Sequence, residues 1–189
     1  VTVGDIADQT FNGAEIKPAV TVTFNGKAVA EDEYSVAYSD NTNAGTATVT
    51  LTSKGKNFST EKTKTATFTI VAKTLTAAMV GDIATQSYTG EPLTPTVTVT
   101  DGDAILVKDT DYEVSYSGNV NVGVNTATAT VTGMGNYSGS VEKTFSISAV
   151  AATVKKAPEA LNPAYTASAQ DLVAAGETDN GKMVYSLTA

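Results

Sequence analysis

The chain has 189 residues, with Lys+Arg 12 against Asp+Glu 20, a net charge of -8, and no histidine or cysteine. Such an acidic chain repels phosphate backbones and anionic lipid, which argues against nucleic acid and membrane-surface partners. Without cysteine or histidine it has no disulfide, no thiolate zinc site, no thiol nucleophile and no imidazole base. 

In chain order, the first signal is recurrence. Val3-Gly4-Asp5-Ile6-Ala7 returns as Val80-Gly81-Asp82-Ile83-Ala84. Gln9-Thr10-Phe11-Asn12-Gly13 matches Gln86-Ser87-Tyr88-Thr89-Gly90, an aromatic followed by a glycine turn, and Pro18 matches Pro95. A proline there suits the first residue of a strand. Val20-Thr21-Val22-Thr23-Phe24 and Val97-Thr98-Val99-Thr100 alternate valine with threonine, so each predicts a strand with one buried face. Asn25-Gly26 and Asp101-Gly102-Asp103 predict hairpin turns.

The clearest strand is Tyr34-Ser35-Val36-Ala37-Tyr38, repeated as Tyr112-Glu113-Val114-Ser115-Tyr116, each followed by an asparagine turn at Asn41 or Asn119. Thr46 to Thr52 and Thr126 to Thr132 then alternate strictly, with small inward residues that require another element close by. Turns through Gly55-Lys56-Asn57-Phe58 and Gly133-Met134-Gly135-Asn136-Tyr137 lead to closing strands at Ala66–Ile70 and Thr144–Ile147. Helical periodicity is absent throughout. Six or seven short strands per module indicate an all-β fold of antiparallel β-sandwiches. Tyr34, Tyr38, Phe68, Tyr112, Tyr116 and Phe145, with Val22, Val36, Val99 and Val114, are the expected core. A module of this size buries only roughly 60% of its unfolded surface, so its two sheets must interlock well.

The modules are expected at residues 1–73 and 78–150. The joint, Val71-Ala72-Lys73-Thr74-Leu75-Thr76-Ala77-Ala78, lacks glycine and proline, which predicts a short semi-extended connection and an end-to-end arrangement. No apolar run approaches the roughly 18 residues of a membrane span, and the opening lacks a signal segment. The chain reads as a piece of a longer protein.

These motifs resemble the tandem bacterial Ig-like repeats of Gram-positive secreted and cell-surface proteins. The residues that carry the resemblance are Tyr88-Thr89-Gly90, Pro95, Val97, Val99, Asp111, Tyr112, Val114, Tyr116, Asn119, Gly135-Asn136-Tyr137, Gly139, Phe145 and Ile147. The first module keeps Gly45-Thr46-Ala47 but has Glu33 and Asn57-Phe58, and lacks a glycine after Ser59. The resemblance covers nearly all of residues 1 to 150. It implies tandem Ig-like modules and a structural spacer or stalk of an extracellular multidomain protein. The partners would then be neighbouring domains of the same polypeptide. The alternative is an adhesin module that binds carbohydrate or a host surface protein.

Residues 157–189 resemble the first half of a related Ig-like repeat, through Pro163-Ala164-Tyr165-Thr166-Ala167, Gln170-Asp171-Leu172-Val173 and Tyr185-Ser186-Leu187. This third module is expected to be a truncation. If ordered, it should borrow partners from the second module or another copy, because two or three strands bury too little alone.

Candidate sites are sparse. Tyr88, Phe58 and Tyr137 lie beside turns and are the candidates for stacking on sugar, against the rival reading that they pack at the sandwich ends. Asp101, Asp103, Asp109 and Asp111 could offer oxygens to calcium, but their spacing is not that of an EF-hand loop, and turn chemistry is the competing explanation. Asn57-Phe58-Ser59 and Asn136-Tyr137-Ser138 fit the glycosylation sequon at equivalent repeat positions and are read as turn residues. Lys62 and Lys143 lie near closing strands, where some bacterial Ig-like modules form isopeptide cross-links, but neither has a matched buried carboxylate in the sequence. The pattern offers no catalytic constellation, no metal site and no cofactor site, so the chain is expected not to be an enzyme.

Overall fold

The computed structural model describes residues 1–58, 63–179 and 183–184. Ser59, Lys62, Tyr185 and Leu187 lie outside them. The described chain is all-β, with short 3-10 turns at Glu31–Glu33 and Ala77–Met79.

The first sandwich pairs a three-stranded sheet with a four-stranded one. Its strands are β1 (Thr2–Val3), β2 (Gln9–Thr10), β3 (Val22–Phe24), β4 (Lys27–Ala28), β5 (Tyr34–Ser39), β6 (Gly45–Ser53) and β7 (Thr63–Val71). The sheet orders are β1-β3-β4 and β2-β7-β6-β5. After β8 (Lys73–Thr74) come β9 (Gln86–Ser87), β10 (Thr100–Asp101), β11 (Ala104–Ile105), β12 (Tyr112–Ser117), β13 (Gly123–Gly133), β14 (Tyr137–Ser138) and β15 (Ser140–Ser148). The order β9-β15-β13-β12 matches β2-β7-β6-β5. The hairpin β10-β11 and a bridge between Val80 and Val99 stand where β3, β4 and β1 do in the first sandwich.

The period of two decides what is buried. Along β6, Ala47, Val49 and Leu51 face inward, and along β13 Ala127, Ala129 and Val131 do. Ala47 lies opposite Phe68, and Ala127 opposite Phe145. An alanine beside each phenylalanine leaves room for the ring, and Tyr116 meets Phe145 edge-on at 6.4 Å. The tyrosines are anchored by their hydroxyls. Tyr38 donates to the Pro18 carbonyl at 2.6 Å and Tyr112 to the Val97 carbonyl at 3.0 Å, while Tyr116 donates to that of Pro95.

Two expectations need correction. The sheets are not wholly antiparallel: β2 runs parallel to β7 and β9 parallel to β15. The chain crosses from one sheet to the other after β1, so it meets the closing strand in the same direction and covers that sheet edge. Val36 is also not core but 37% exposed, and Tyr34, Tyr38, Val114 and Tyr116 are half-buried at the edge of the core. Strand β5 is at a sheet edge, but so is β12, whose Tyr112 is buried, so the edge alone does not account for the exposure.

The tail carries β16 (Val154–Lys156), β17 (Glu159–Ala160), β18 (Val173–Ala174) and β19 (Glu177–Thr178). These form the two-stranded ladders β16-β19 and β17-β18, so the tail's described strands pair with each other and borrow none from the second sandwich. No described tail residue is buried, in keeping with too few strands to make a core.

Candidate functional site at the joint between the sandwiches

The joint is a built contact. Strand β8 pairs in parallel with β14, with Lys73 beside Tyr137 and Thr74 beside Ser138. The Lys73 amide donates to the Asn136 carbonyl at 2.9 Å, and the Leu75 amide to that of Ser138 at 2.8 Å. The first sandwich reaches across as well. Asn136 Oδ1 accepts from the Ala44 amide at 2.8 Å, and its Nδ2 donates to Asn43 Oδ1 at 3.0 Å. Phe11 meets Tyr137 edge-on at 5.6 Å.

Local chemistry explains the close approach. Gly139 has φ +77, and a Cβ there would lie 3.1 Å from Thr74 Cγ2. At Gly133 a Cβ would come within 2.6 Å of the Ser138 backbone nitrogen, so glycine lets β14 fold tightly over the end of β13. Leu75 and Met79 are then buried, and buried side chains of both sandwiches form one continuous apolar cluster across the joint. Lys73 Nζ pairs with Asp101 at 2.6 Å, and the Tyr137 hydroxyl points at the same carboxylate at 3.4 Å. Burial pushes the Tyr137 hydroxyl pKa up, and the Asp101 charge adds to the shift.

The three stacking candidates are not brought together. Tyr137 is 8% exposed and its ring is taken by Phe11, so it cannot also stack on a sugar. Tyr88 is 41% exposed at the far end of the second sandwich. Phe58 is half-buried at the outer end of the first, edge-on to Phe24 at 5.3 Å. It lines a cleft of about 320 Å³ with Val22, Phe24, Val29, Tyr34 and Leu51.

The acidic candidates have separate tasks. Asp101 holds Lys73, Asp103 lies in the turn between β10 and β11, and Asp109 takes a left-handed turn at φ 64. Asp111 accepts from the Val107 amide at 2.8 Å. No three acidic side chains meet as a cation site among the described residues. Lys143 faces the exposed Asp82 at 2.9 Å, in water rather than in the dry surroundings a cross-link requires.

Phe11, Asn43 and Asn136 were missed as joint residues by sequence reasoning, and Leu75 was placed in the joint without being foreseen as buried. The one available signal was Leu75, a large apolar side chain in a connection that otherwise needs none. Comparison with protein-family models, with curated proteins and with solved structures found no match.

Proposed function

We propose that the chain is a non-catalytic structural spacer, a stiff segment of a bacterial cell-surface or secreted multidomain protein built from Ig-like modules. The observation that carries this reading is the joint. A connection that pairs as a strand, buries Leu75 and adds the Phe11–Tyr137 ring contact resists bending in a way that a flexible linker does not. Such a joint transmits orientation from one module to the next, which is what a stalk needs. The sequence resemblance supports the extracellular setting.

Small-angle scattering combined with residual dipolar couplings tests it. The expected outcome is one fixed angle between the two sandwiches. Independent alignment of the two would sink the spacer reading. A second reading, an adhesin module for carbohydrate or a host protein, is favoured by the Phe24–Phe58 pair beside the open cleft. Retention on insoluble polysaccharide that is lost in Phe58→Ala would support it over the spacer.

A further inference from the structure

The outer ends of the two sandwiches are the two halves of the contact that the joint closes. Phe11 and Tyr88 occupy the same place, each donating its amide to the closing strand, to Val71 and Ser148 respectively. Phe11 is 8% exposed because Tyr137 covers it, while Tyr88 stays 41% exposed. The pattern repeats at the other end. Val29 matches Leu106, since each amide donates to the partner strand at 2.9 Å, to Val22 and Val99. Tyr34 matches Tyr112 by register, opposite Ser53 and Gly133. Phe58 matches Tyr137 by its asparagine–aromatic turn. Leu106, Tyr112 and Tyr137 are buried, but Val29, Tyr34 and Phe58 are half-exposed. Their cleft lies where the second sandwich receives β8, Leu75 and Phe11.

We infer that this cleft is a docking site for the joint strand and aromatic turn of a like sandwich joined ahead of Val1. The inference rests on the spacer reading and names the partner of its open end. A specificity follows from one substitution in the repeat. Phe24 stands where Asp101 holds Lys73, as both begin the turn of the equivalent hairpin. The incoming strand therefore carries an apolar residue in place of that lysine, because Phe24 offers an ammonium no carboxylate where Asp101 does, and the carboxylate that lines the cleft, Glu33, is already held by the Asn57 amide. A leucine-sized residue at the place of Leu75 fills the cleft.

The test uses the full chain with the eight residues Ile70–Ala77 copied ahead of Val1, which keeps their register to the first strand. The copied lysine is changed to valine. A matched version also has the copied leucine changed to aspartate. Tethering gives the strand a high effective concentration, so amide exchange at Phe24, Tyr34 and Leu51 should slow by about tenfold or more in the leucine version only. Exchange at Leu106 and Tyr112 should be equal in both. Phe58→Ser added to the leucine version should cancel the gain. Equal exchange in the two extended proteins overturns the inference, as does slowing of the same amides by soluble oligosaccharides in the unextended chain. Failure of this test would leave the joint at Tyr137 fixed, whereas failure of the spacer reading would appear as a loose joint.

Discussion

Tyr34 and Tyr112 hold the same position in two sandwiches with the same strand order, yet Tyr112 is buried and Tyr34 is half-exposed. Their own strands do not account for this, since both sit opposite the last residues of the neighbouring strand. The difference comes from outside the unit. Residues 73–77 lie over the second sandwich, and by the repeat register they match positions ahead of Val1. A module's core is thus completed by the segment that enters it. The second sandwich should therefore be the more stable of the two.

The largest effect is expected at the covered tyrosine. Tyr112→Ala should cost about 3–5 kcal/mol, since it empties a buried ring site and strips the Val97 carbonyl of its donor. Tyr34→Ala should cost about 1–2 kcal/mol, in proportion to the smaller area it loses. Exchange of amides in each sandwich reads the two costs separately. Equal losses would break the comparison.

Next comes the covering segment itself. Leu75→Ala should destabilise the second sandwich by about 2–4 kcal/mol while leaving the first almost unchanged, because its side chain is buried on the far side of the joint. It should also loosen the angle between the units. If the first sandwich lost as much, the joint would belong equally to both.

Much of this was legible in the residues. Alternation identified the strands and put Phe68, Phe145, Val22 and Val99 in the core, because a period of two assigns a face without further information. It could not say whether that face is covered along its whole length. Val36 alternates as well as Val114 does and still ends up exposed. Nor could it foresee the docking of Asn136 on Asn43 and Ala44, which joins loops far apart in sequence through amide geometry that composition does not encode. For Tyr137, beside its turn, packing at the sandwich end stood against stacking on sugar, and its partner could not be named for the same reason: Phe11 belongs to another unit.

Alkali should sharpen the contrast. Burial, first among the causes, raises the hydroxyl pKa of Tyr112, Tyr116 and Tyr137 in the second sandwich and of Tyr34 in the first. A raised folded pKa gives stability that is complete below the unfolded tyrosine value of about 10 and lost as pH rises through the folded value. The second sandwich should therefore lose stability more steeply in that range. Urea melts followed by exchange at pH 8 and at alkaline pH check this, and a steeper loss in the first sandwich would contradict it.

The Lys73–Asp101 pair should matter less. It is close but partly exposed, so water screens it, and Lys73→Met should cost about 1 kcal/mol or less. Its main consequence is register, so the variant should loosen β8 against β14 with little change in melting. A loss as large as that of Leu75→Ala would mean that charge, rather than burial, holds the joint.

The smallest effect belongs to Asp82 and Lys143, a pair without a counterpart in the first sandwich, where Asp5 and Ala66 take those places. The hydrogen bond and charge of Lys143 hold the Asp82 carboxyl below the usual range. A lowered folded pKa contributes stability above the unfolded value of about 3.9 and loses it as pH falls through the folded value. The carboxylate is fully exposed, so that contribution is slight even when complete. Asp82→Asn should accordingly shift the second sandwich's urea midpoint barely at pH 7. Once acid has protonated Asp82 in the parent, the variant and the parent should melt together. A difference that persists in acid would mean that Asp82 acts through packing rather than charge, and the second sandwich's advantage would then rest partly on its own loop instead of on the segment that covers it.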